Sequence, residues 1–76
     1  MKEAQQKALA YEIADALDDR KSIVQFEKFA RTYSEQFLRE KLAIVLATKP
    51  EDIRRSRGAY FTFLVLNHDR SQTPRN

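Results

Sequence analysis

The chain has 76 residues, no cysteine, one histidine, 33% charged and 42% hydrophobic residues, and a formal net charge of +3. That length leaves room for one core and not two, and the missing thiols exclude a disulfide framework and the common zinc ligand sets. The balance of apolar and charged residues excludes a disordered polyelectrolyte.

No stretch approaches the roughly 20 apolar residues of a membrane helix, and the first 20 residues hold five acids and three bases with no apolar leader. The expectation is a soluble, cytoplasmic protein with no membrane partner. A small domain without a disulfide or a metal relies on close helix packing or on a second copy, so a homodimer is a live expectation. The charge is uneven: residues 1–38 hold six bases against seven acids, and residues 39–76 hold eight against four. The basic character belongs to the C-terminal half.

With one glycine, Gly58, and two prolines, Pro50 and Pro74, little interrupts helix between residues 3 and 48. Leu9, Ile13, Ala16 and Leu17 follow helical spacing, with Lys7, Glu12, Asp15 and Asp18 on the other side. The polar run Asp18-Asp19-Arg20-Lys21 ends this first helix. Ser22 and Gln25 read as a capping box that starts a second helix, which carries Phe26, Phe29, Ala30 and Tyr33 into the core. Ser34 caps a third helix, with Glu35 in its first turn. Its broad apolar surface of Leu38, Leu42, Val45 and Leu46, flanked by Phe37 and Ile44, predicts a central position.

Thr48-Lys49-Pro50-Glu51 repeats the capping-box pattern, with proline in the first turn, and predicts a helix from about residue 49. A break or kink is expected at Ser56 to Gly58. The run Ala59 to Leu66 is rich in β-favouring residues. A strand there would have to pair across a dimer, since the chain offers no second candidate, so helix is the simpler reading. Residues 71–76 carry no apolar anchor and read as a frayed tail following a single domain of residues 1–70. The fold class is all-α, a compact bundle of four to five short helices.

Catalysis finds little to work with. A nucleophile needs a base in reach and a group that orients it, and the one histidine, His68, follows an apolar run near a helix end, where it caps carbonyls or rims the core. Asp15, Asp18 and Asp19 lack calcium-loop spacing and read as a solvated helix stop. One glycine excludes a glycine-rich phosphate loop. The sequence therefore points away from an enzyme, with no catalytic residue, metal, cofactor or small-molecule substrate.

The candidate site is the basic and aromatic constellation. Arg54, Arg55 and Arg57 fall within four residues, with Lys49 nearby, and arginine's planar fork suits phosphate oxygens. If Ser56-Arg57-Gly58 opens the last helix, its free amides face the same region and favour anions. Arg39 and Lys41 extend the patch if the fold brings them near. The alternative is a solvated face in which these arginines pair with Glu51 and Asp52. Along the last segment Phe61, Leu64 and Val65 keep core spacing, whereas Tyr60, Phe63 and Asn67 share the opposite face and form a candidate interface, most simply a dimer contact.

A standard helix-turn-helix over Phe26 to Leu46 fails by register. With Ala30 at the small-residue position, the turn glycine falls on Ser34 and a core apolar position on Glu40.

The stretch Ile53-Arg-Arg-Ser-Arg-Gly-Ala-Tyr-Phe-Thr-Phe-Leu-Val65 resembles a turn-helix element of bacterial plasmid and phage replication-initiation proteins, in which an Asn-Pro-Gly-Ala-Tyr-Phe-like turn precedes an apolar helix. It is similar also to small bacterial helical domains with a Ser-Arg-Gly-Ala turn. This chain has Ser56-Arg57 where the replication element has Asn-Pro, and its preceding helices do not look like the winged helix of those proteins. The resemblance implies nucleic-acid work. Two readings stand: a DNA- or RNA-binding module that contacts phosphates through Arg54, Arg55, Arg57 and Lys49, or a protein-interaction module, whether homodimer, adaptor or inhibitor of a host enzyme, that uses the same surface.

Overall fold

A computed structural model describes residues 2–53 and 55–67, and within them the chain forms four α-helices: α1 (Glu3–Ala16), α2 (Ile23–Thr32), α3 (Glu35–Ala47) and α4 (Arg57–Leu66). Short 3-10 turns, Arg20–Ser22 and Pro50–Asp52, lead into α2 and follow α3. No strand occurs among the described residues, and none of their helices is long and apolar enough to cross a membrane. The expected contact Arg54, the histidine His68 and the tail at 71–76 lie outside the described residues.

α1 ends in a left-handed turn that no glycine announces. Asp18 has φ 53°, and the amides of Asp18 and Asp19 donate to the carbonyls of Asp15 at 3.2 Å and Ala14 at 2.8 Å. This paired pattern closes a helix by satisfying its last carbonyls, and aspartate tolerates the left-handed region better than most residues. The chain reverses there and lays α2 along α1.

Two of the expected caps form elsewhere. Ser22 does not cap α2: it already has near-helical backbone from the preceding 3-10 turn, and its hydroxyl donates to Asp19 Oδ2 at 2.9 Å. Thr48 does not start a helix either. It closes α3, donating its Oγ1 to the Ile44 carbonyl at 2.7 Å, and Pro50 opens only a single 3-10 turn. Ser34 does cap α3, accepting from the Phe37 amide at 3.1 Å.

The core collects Leu9, Ile13 and Leu17 of the first segment, Phe26, Phe29 and Ala30 of α2, Leu38, Leu42 and Val45 of α3, and Phe61 and Val65 of α4. Its centre is aromatic. The Phe61 ring meets Phe26 edge to face at 5.7 Å and Phe29 at 6.2 Å, contacts worth about 0.5–1.5 kcal/mol each beyond simple burial. Tyr33 continues the series and stacks on Phe37 at 5.0 Å. α3 is less central than its apolar surface implied, since Ile44 and Leu46 remain exposed and only one side of the helix enters the core.

Candidate functional site

The last helix is set by its first turn. Ser56 caps α4, its Oγ accepting from the Ala59 amide at 3.1 Å, so the expected break falls just before the helix rather than within one. Gly58 is buried in that turn. A β-carbon at this position would collide with the Asp19 carboxylate and lie 2.8 Å from its Cγ. The glycine is there for close approach and has an ordinary negative φ.

Asp19 thereby brings a negative charge to the positive end of α4, a favourable arrangement for the helix dipole. At the expected anion site the concavity beside the start of α4 therefore holds a carboxylate, Asp19, together with Arg55.

With α4 fixed, its two sides separate. Phe61 and Val65 are fully buried, Leu64 and Tyr60 are half-buried, and Phe63 and Leu66 stand 58% and 57% exposed. Asn67 ends the helix half-buried, with its Nδ2 donating to the Phe63 carbonyl at 2.8 Å. The outward side borders two shallow concavities. One, of about 380 Å³, is lined by Asp52, Ile53, Arg55, Ala59, Tyr60 and Phe63. The other, of about 410 Å³, runs along Asp19, Ser22, Arg55, Thr62, Phe63, Leu66 and Asn67. Arg55, Ala59 and Phe63 line both and so form the ridge between them.

The predicted site residues are thus only partly brought together. Arg55, Tyr60 and Phe63 share one continuous surface, and Asn67 lies at its far end. Lys49 and Arg57 are exposed but line neither concavity. Among the described residues, Lys49, Arg55 and Arg57 form no ion pair with Glu51, Asp52 or any other acid, and the expected pairing of Arg54 lies outside the described residues.

Arg39 and Lys41 do not extend the patch. The Arg39 guanidinium spans both oxygens of Glu12 at 2.7 and 3.0 Å and reaches Glu35 at 2.8 Å, tying α3 to α1. The hydrogen bonds from Arg39 hold the Glu12 carboxyl below the usual glutamate range, and those from Glu12 and Glu35 raise Arg39 above its ordinary value. Lys41 sits 5.2 Å from the Phe37 ring centre.

Of the candidate cation ligands, Asp15 accepts from Arg20 at 2.8 Å, and the hydrogen bond raises that arginine. No group of three or more potential metal ligands forms among the described residues.

Sequence reasoning named Asp52 only as an ion-pair partner of the arginines, did not single out Ile53 and Leu66 as interface residues, and read Asp19 only as a helix stop. Leu66 was findable, since it lies one helical turn beyond Phe63. Asp52 and Ile53 carry no such signal, because a 3-10 turn between helices has no periodicity to read. Compared with known proteins, the chain matches no family model, no curated protein and no solved structure.

Proposed function

We propose that the chain is a small protein-interaction module whose docking surface is the outward side of α4 and the groove beside it. Phe63 carries this reading. It is a phenylalanine 58% exposed on a ridge, flanked by half-buried Tyr60 and by Arg55. Burying apolar surface is favourable by about 25 cal/mol per Å², and aromatic residues and arginine are the side chains most enriched at the energetic centres of interfaces. The acids beside Arg55 support a protein over a polyanion as the principal partner. A phosphate backbone laid across Arg55 would meet Asp52 on one side and Asp19 on the other, whereas a protein partner can answer both signs.

The test is a photoreactive benzoylphenylalanine placed at position 63 in cells, with position 24 as control, since Val24 is 69% exposed on a different helix. Protein adducts specific to position 63 are expected. Equal labelling at both positions, or adducts to nucleic acid alone, would overturn the reading.

A second reading, contact with DNA or RNA phosphates, is favoured by the cations Lys49, Arg55 and Arg57, which form no ion pair among the described residues, by the basic C-terminal half, and by the resemblance of residues 53–65 to a replication-initiation element. Counterion release then makes affinity fall steeply between about 50 and about 200 mM salt. Titrations against duplex DNA, single-stranded DNA and structured RNA measure this. Binding left unchanged by charge reversal of Arg54, Arg55 and Arg57 together would dismiss it.

A further inference from the structure

The two sides of the α4 surface are complementary to each other. The ridge carries a cation and an exposed ring, Arg55 and Phe63. The groove beside it carries a carboxylate and apolar side chains, Asp52 with Ile53 and Tyr60. A surface that holds both a feature and its complement is what an isologous two-fold contact requires, because each residue of one copy must find a different residue of the same patch on the other.

We infer that the occupant of this surface is a second copy of the chain, a deduction that rests on the protein-interaction reading above. In the dimer the ridge of each copy enters the groove of the other. Phe63 packs against the other copy's Ile53 and Tyr60, and Arg55 meets the other copy's Asp52. The symmetry makes each contact twice, so modest local chemistry is doubled. Two observations agree with it: among the described residues of its own chain Arg55 has no ion-pair partner, and Asp52 is exposed with no ion pair to any of them either.

The experiment is sedimentation equilibrium of the full chain from about 10 µM to about 1 mM, a span that covers weak dimers, with circular dichroism to verify that every variant is folded. The wild type is expected to self-associate within that span, and Phe63→Ala to weaken association by about tenfold or more. The charge variants give the distinctive signature. Arg55→Asp alone and Asp52→Arg alone each place like charges across the axis and should be monomeric. Mixing those two variants restores both opposite-charge contacts and should regenerate a heterodimer.

A folded wild type that stays monomeric at about 1 mM overturns the inference, as does association indifferent to both charge changes. If the chain is monomeric while position 63 still captures a different protein in cells, the dimer is wrong and the interaction reading stands. If position 63 captures no protein at all, both fall.

Discussion

Phe61 and Phe63 stand two residues apart on one short helix, yet one is fully buried against Phe26 and Phe29 and the other is 58% exposed beside Arg55. The helical turn explains the geometry, since residues two apart point to nearly opposite sides. It does not explain why the outer position is aromatic. The inner side of α4 is what the fold needs, and the outer side carries apolar surface beyond that need. The contrast separates residues that hold the molecule together from those available to a partner.

The largest effect should come from breaking the inner side. Phe61→Ala is expected to cost about 3–5 kcal/mol. Set against a total of roughly 0.05–0.15 kcal/mol per residue, that is a large share of the whole and moves the urea midpoint sharply downward. Phe63→Ala should leave the monomer within about 0.5 kcal/mol of wild type while weakening self-association by about tenfold or more. Equal destabilisation by both substitutions would erase the contrast.

Next comes Gly58→Ala. Helix propensity alone would favour alanine by up to about 1 kcal/mol, but the added carbon meets the Asp19 carboxylate, so a net loss of about 1–3 kcal/mol is expected. Repeating the substitution in an Asp19→Ala background should abolish the loss, which denaturant melts of the four proteins measure directly. Ser56→Ala should cost about 1 kcal/mol through the lost cap, matching Ser34→Ala on α3. A much larger value at Ser56 would mean that its hydroxyl also positions the ridge.

The smallest effect concerns Glu12. Its pKa is lowered in the folded state, so its contribution is present above the ordinary glutamate range and disappears as the pH falls through the lowered value. The pair is exposed and screened. Glu12→Gln should therefore lower the melting temperature slightly near neutral pH, and the gap should close in acid. A gap independent of pH would assign the effect to something other than the Arg39 pairing.

Much of the fold was readable from spacing. The core residues of α2, the Ser34 cap and the division of α4 into a Phe61 side and a Phe63 side all follow from helical period and local chemistry. The errors lie where a local pattern had a nearer competitor. Ser22 and Thr48 each sit in a capping-box pattern, but Ser22 donates to Asp19 and Thr48 to Ile44. The left-handed Asp18 carried no glycine to announce it. The groove was legible only on its helical side, because Asp52 and Ile53 are brought beside Tyr60 by a turn, and Asp19 meets Gly58 only through the packing of distant segments.

That last contact has a consequence for how the sequence can change. The chain's only glycine is held by an aspartate from another part of the chain, so position 58 can gain a side chain only if position 19 gives way. In a library that randomises residues 19 and 58 together, the surviving pairs should trade volume: any side chain at position 58 will be accompanied by a smaller one at position 19. Position 58 will not show its true tolerance when varied alone. The turn after α1 and the start of α4 would then evolve as one unit, and position 19, far along the chain from Phe63, would share in shaping the concavity beside the Phe63 ridge.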